Sequence, residues 1–182
     1  MSRRCVPWSA DPQGGGLSNR PTLDSRYPTH PLRKDRQAMR IALASDHAAV
    51  ALKALLVEHV LSLGHEAIDL GPETTDSVDY PDYGFKLADA IASGAADRGI
   101  ALCGSGIGIS IAVNRNPAAR CALVSEPLSA RLCREHNDAN VLAMGARLTG
   151  PDMAKECVNA FLSTEFGGDR HARRVAKLSN PQ

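Results

Sequence analysis

Cys103-Gly104-Ser105-Gly106-Ile107-Gly108 puts a thiol and a hydroxyl in a loop with three glycines, directly after the apolar run Gly99-Ile100-Ala101-Leu102. The segment from Ile107 to Asn114 then reads as the start of a helix. A strand–loop–helix of this kind offers an anion the unpaired N–H groups and positive dipole end of the first helical turn. A thiol in that position has a lowered pKa and can act as a base or a nucleophile.

Other residues carry weaker signals. Asp46-His47 follows the first apolar run and reads three ways: a metal pair, a proton-transfer pair, or a helix N-cap made by Asp46. His136-Asn137-Asp138 closes a helix before an apolar strand, where a lone histidine usually serves the helix dipole. Tyr80-Pro81-Asp82-Tyr83 reads as a loop with cap chemistry unless it lines a site. Arg170 and Arg174 are four apart, so on a helix they share a face and could clamp one phosphate or carboxylate. The plain alternative is a solvated basic helix end.

The glycine loop is only superficially a nucleotide motif. Its spacing is not G-x-G-x-x-G, it follows the third strand, and no acidic residue ends a strand about twenty residues on. No Gly-Lys-Ser/Thr follows, which excludes a Walker loop.

The elements that must position these residues alternate along the chain. Ile41–Ala44 reads as a strand, and 48–63 as a helix with Val50, Leu52, Leu55, Leu56, His59 and Val60 near one face. Strands are then expected at 66–70, 99–102, 119–124 and 140–144, and helices at 82–93, 107–115, 127–136 and 152–163. Five βα units with short connections predict a parallel sheet covered on both faces, a doubly wound α/β fold. Functional loops of such sheets lie at the strand C-terminal ends. Asp46-His47, Cys103–Gly108, Ser125-Glu126 and Gly145–Arg147 all fall there.

Residues 1–38 differ from the rest. They hold five of the eleven prolines, the triple Gly14-Gly15-Gly16, and seven basic against three acidic residues. This segment is expected to be a disordered extension, or upstream sequence brought in by an early start codon, with a targeting peptide the weaker reading. Residues 39–182 suit one domain and carry a net charge of −3 out of the whole chain's +1. That balance gives no general basic surface, so nucleic acid is an unexpected partner. No apolar run approaches the ~20 residues of a membrane span. The five cysteines are odd in number and lack CxxC or Cys/His spacing for zinc, which fits a reducing cytoplasm.

Taken together, the residues resemble the family of ribose-5-phosphate isomerase B and the galactose-6-phosphate isomerase subunits. The likeness rests on Asp46-His47-Ala48, Asp79-Tyr80-Pro81, the run Cys103 to Ser110, Ser125-Glu126-Pro127, His136 to Leu142, Gly145-Ala146-Arg147 and Arg170-His171-x-x-Arg174-Val175. It covers essentially all of 39–178, in order, and leaves out 1–38.

The resemblance implies a Rossmann-like α/β/α sandwich with a five-stranded parallel sheet, binding no nucleotide and needing no metal or other cofactor. It implies interconversion of ribose 5-phosphate and ribulose 5-phosphate, in the pentose phosphate pathway, through ring opening and an enediolate. Cys103 would take the C2 proton. One branch of the family uses a glutamate six residues further on, where this chain has Ile109. Ser105 and the N–H groups of Gly104, Gly106 and Gly108 would stabilise the enediolate. His136 would open the sugar ring with Asp46 on its other side, and Arg147, Arg170 and Arg174 would bind phosphate. Asp46, His47 and Asn137 would contact substrate, with Tyr80 and Ser110 lesser candidates for the lining. A homodimer or tetramer with sites shared between chains is implied, with His136, Asn137 and Arg147 supplied by the partner. Other sugar phosphates (allose 6-phosphate, galactose 6-phosphate, a tetrose phosphate) and a non-catalytic sugar-phosphate-binding regulator remain alternatives.

Overall fold

The computed structural model describes residues 37–179, so most of the expected extension 1–38, including Cys5, lies outside the described residues. Five strands form the sheet: β1 (Arg40–Ser45), β2 (Glu66–Asp69), β3 (Arg98–Cys103), β4 (Cys121–Leu123) and β5 (Val141–Gly145). The helices are α1 (Val50–Ser62), α2 (Tyr80–Ala92), α3 (Ile107–Val113), α4 (Pro127–Asn137), α5 (Pro151–Ser163) and α6 (Arg170–Ser179). All strand pairings are parallel, in the order β2-β1-β3-β5-β4.

Strand alternation divides the core into two layers. Ile41, Leu43, Ile100, Leu102, Leu142 and Met144 pack with α1, α4 and α5. The intervening positions Ala42, Ala44, Ala101, Cys103, Val141 and Ala143 pack with α2 and α3. One face of the sheet is therefore large and branched, the other mostly methyl groups. Cys103 falls by register on the small face, the one covered by the helix it precedes. Gly99 extends that pattern, since a Cβ there would lie 2.8 Å from Leu87 Cδ2 of α2.

The expected α/β architecture holds, with local differences at element ends. A single 3-10 turn, His47–Ala49, precedes α1. Helix α2 starts at Tyr80, not Asp82, because Pro81 is accommodated in its first turn, where a missing N–H costs nothing. Strand β4 is shorter than 119–124, being an edge strand that pairs only with β5.

Chain direction fixes where each loop lies. β1 leads to α1 on one face and β3 to α3 on the other, while β5 leads back to α5 on the first face. Both flanks of β3 are therefore switch points, where a crevice opens beyond the strand C-terminal ends.

Candidate functional site

Cys103 ends β3 and is only 4% exposed. Gly106 takes φ +78°, turning its N–H back to donate to Cys103 Sγ at 3.0 Å. A Cβ at Gly106 would lie 2.6 Å from Leu123 Cδ1 and 2.7 Å from the Met144 carbonyl carbon, so glycine is required by space as well as by φ. Ser105 Oγ accepts the Ile107 N–H at 3.3 Å, and Ser110 Oγ donates to the Ile107 carbonyl at 2.7 Å.

The Gly106 N–H is directed at the thiol because the left-handed turn folds it over Sγ. The contact fixes the position of the sulfur at the start of α3.

The loop after β5 is stitched to the same place. Ala146 N–H donates to the Cys103 carbonyl at 2.9 Å, and Arg147 N–H to the Gly104 carbonyl at 3.1 Å. Gly145 lets the two loops meet, since a Cβ there would lie 2.6 Å from the Ser105 carbonyl. A Cβ on Gly104 would lie 3.5 Å from the Arg147 Cζ and Nε atoms. Within one chain, Arg147 thus stands beside Gly104, the residue that follows Cys103.

On the other flank, Asp46 N–H donates to the Leu102 carbonyl at 3.0 Å, drawing the end of β1 against the end of β3. Asp46 Oδ1 caps the following turn through Ala48 N–H at 3.0 Å. His47 Nδ1 meets the backbone of Val78, 3.2 Å from its N and 3.3 Å from its O, which orients the ring. The Tyr80 ring lies against Gly108, where a Cβ would come within 2.6 Å of it. One edge of the sheet thus gathers Asp46, His47, Tyr80, Cys103, Ser105, Ser110 and Arg147 with glycines 104, 106 and 108.

His136, Asn137, Arg170 and Arg174 are not among them. Helix α4 runs back from the C-terminal end of β4 to the start of β5, so its last residues lie at the opposite edge. There Asn140 accepts the Gly99 N–H at 2.9 Å, near the start of β3. Cys103 is four residues further along that strand, about 13 Å at ~3.3 Å per residue. The turn that follows α4 is rigidly held. Asp138 takes φ +47° and its carboxylate is gripped by Arg120 and Arg134, each at 2.8 Å. Helix α6 starts at this edge too, with His171 stacked on His136 at 4.4 Å between centroids.

The sequence assigned no role to His171 or Val78, and it placed Gly145 in a functional loop without its close approach to Ser105. His171 sits inside the quoted Arg170-His171-x-x-Arg174 motif, so its spacing was visible but its partner was not. Among the described residues no three His, Cys, Asp or Glu side chains gather as a metal cluster.

A strand end with a cysteine–glycine loop, flanked by Asp-His on one side and Gly-Ala-Arg on the other, has counterparts. The family model described as Ribose/Galactose Isomerase matches residues 41–178. The chain belongs to the ribose/galactose isomerase family. It is 44% identical to ribose-5-phosphate isomerase B of Escherichia coli over 140 residues, covering 77% of this chain and 94% of that protein. The structure of a ribose 5-phosphate isomerase from Thermotoga maritima superposes with TM-score 0.77 at 48% identity, covering 79% of this chain and 99% of that one. Type B ribose 5-phosphate isomerase of Trypanosoma brucei gives TM-score 0.78 at 40% identity, covering 80% and 100%. The family resemblance of the motifs and the observed five-stranded α/β fold therefore agree.

Proposed function

We propose that the chain is a ribose-5-phosphate isomerase of type B, an aldose–ketose isomerase that interconverts ribose 5-phosphate and ribulose 5-phosphate. The observation that carries this reading is the buried Cys103 thiol. It receives a backbone N–H at the N-terminal end of α3, inside the crevice where the family's substrates are expected. In this reading Cys103 removes the C2 proton and returns it to C1 through an enediolate. A positioned base contributes roughly 10²–10⁴-fold. Ser105 and the donors of the loop meet the charge that develops on the substrate oxygen, each worth on the order of 10²–10³ in rate.

His136 opens the sugar ring with Asp46 opposite. Arg147, Arg170 and Arg174 take the phosphate, their planar forks suiting its oxygens. His47, Tyr80, Ser110 and Asn137 complete the lining. Because His136, Asn137, Arg170 and Arg174 lie at the far edge of their own sheet, each site needs the far edge of a second copy. The surface around the Cys103 loop suits such a cover. Ile107, Ile111, Leu123 and Leu148 are 52%, 50%, 46% and 73% exposed there. A homodimer with shared sites follows, Arg147 staying with the Cys103 chain.

Among the described residues no helix is long and apolar enough to cross a membrane, and Cys103, Cys121, Cys133 and Cys157 are free thiols. The cytoplasm is the compartment this reading assigns. The deciding experiment offers purified protein a panel of aldose and ketose phosphates, with and without chelator. Turnover of ribose 5-phosphate that survives chelator and is abolished in Cys103→Ala supports the reading. Loss with chelator removes the metal-free mechanism, and turnover of a hexose or tetrose phosphate alone reassigns the substrate.

A further inference from the structure

His136 has a partner that the reaction scheme does not use. The His171 ring lies flat upon it, with centroids 4.4 Å apart and planes 9° from parallel. The chain leading into α6 is shaped to deliver that ring. Gly167 N–H donates to the Glu135 carbonyl at 2.9 Å, and a Cβ on Gly167 would lie 3.0 Å from the same oxygen. Gly168 and Asp169 then take φ +60° and +46°, and α6 opens with Arg170-His171 over the end of α4.

The charged groups facing the pair are few. From α4 comes Glu135, with Oε1 3.9 Å from His136 Nε2, and from α6 come Arg170 and Arg174. Partial burial first, then the charges of His136, Arg170 and Arg174, hold His171 below the usual imidazole range, with Glu135 opposing. That direction favours the neutral form of the His171 ring. A neutral ring can stay face to face with an imidazole that gains and loses a proton, whereas two cations would repel.

We infer that His171 is a positioning residue for ring opening, its stacked imidazole fixing the plane of His136 against the ring oxygen of a cyclic aldose phosphate. This rests on the reading of His136 as the ring-opening group. In that step the bond from C1 to the ring oxygen breaks and its electron pair goes to the oxygen. That oxygen takes a proton from His136, while the anomeric hydroxyl gives its proton to Asp46 and becomes the aldehyde. The proton must travel along one direction, and a fixed imidazole plane supplies it.

The test separates ring opening from enolisation. Ribulose 5-phosphate has its C5 oxygen esterified, cannot close a furanose, and enters open. Solvent deuterium exchange at its C1, followed by NMR, reports enolisation alone. His171→Ala is expected to lower kcat for ribose 5-phosphate by roughly tenfold or more, with KM and C1 exchange within about twofold. His171→Phe keeps a flat ring and is expected to recover kcat to within about threefold of the native protein. An unchanged kcat in His171→Ala, a parallel fall in C1 exchange, or no recovery in His171→Phe would overturn the inference. If the native protein performs neither reaction, the isomerase reading itself fails and this inference falls with it.

Discussion

Gly106 hands its N–H to the sulfur of Cys103 at 3.0 Å, so a left-handed glycine of the loop serves the thiol proposed as the base. At the other described thiols burial is the largest influence. Burial pushes Cys121 up to about 12 and Cys133 and Cys157 up to about 11. Iodoacetamide near neutral pH should therefore inactivate the protein in one exponential phase. Peptide mapping should find Cys103 alkylated while Cys121, Cys133 and Cys157 stay unmodified. Inactivation without label on Cys103 would remove the thiol from the mechanism.

The contact between Gly145 and Ser105 makes a second position sensitive. A methyl group at Gly145 would press on the Ser105 carbonyl at 2.6 Å, forcing apart the loops after β3 and β5. Overpacking of this kind costs about 1–3 kcal/mol. Gly145→Ala should lower the melting temperature and reduce kcat on the order of 10²-fold, since misplacement by about an ångström carries that cost. A variant with native melting and native kcat would show that the loops part freely.

Placement of Cys103 and His136 at opposite sheet edges predicts complementation. Cys103→Ala and His136→Ala proteins, each inactive alone, should regain activity once their subunits exchange, through sites that combine the intact edge of each. Native mass spectrometry can verify exchange independently of the assay. Verified hybrids with no recovered turnover would refute shared sites.

Glu126 gives a pH signature. Its carboxylate caps α4 by accepting the N–H groups of Ser129 at 2.7 Å and Leu128 at 2.5 Å. Hydrogen bonding from Ser129 is the main cause that holds it below the usual carboxylate range, helped by Leu128 and the Arg131 charge. A depressed carboxylate stabilises the fold fully above its unfolded value and loses that contribution as pH falls through the folded one. Glu126→Gln should thus melt lower than the native protein at neutral pH. The gap should close as pH drops below about 4, the unperturbed range of glutamate. A gap that persists unchanged into acid would assign it to something other than the cap's charge.

Much of this was legible in the residues. Alternation of apolar strands with helical periods gave five βα units, and the rule that loops at strand C-terminal ends carry function picked out Asp46, Cys103 and Arg147 together. The order of elements also contained the separation of His136, because a helix that returns to the next strand ends at the opposite edge of the sheet. What the sequence did not display was contact across loops. Nothing in Gly145 announces that Ser105 lies against it, and nothing in Arg147 says whether it serves its own chain or a neighbour. Pro81 hid the start of α2, since the same residue breaks a helix in its interior and favours its first turn.

The unequal faces of the sheet bear on how such a chain can diverge. Toward α1, α4 and α5 the strands present Ile41, Leu43, Ile100, Leu102, Leu142 and Met144, and exchanges among branched residues of similar volume are cheap there. Toward α2 and α3 they present Ala42, Ala44, Ala101 and Ala143, where almost every single-base change enlarges the side chain or adds charge. Drift should therefore be one-sided, rapid under α1, α4 and α5 and nearly frozen under α2 and α3. The frozen side is the one that seats α3, so the height at which its first turn meets the reactive thiol is inherited through four methyl groups.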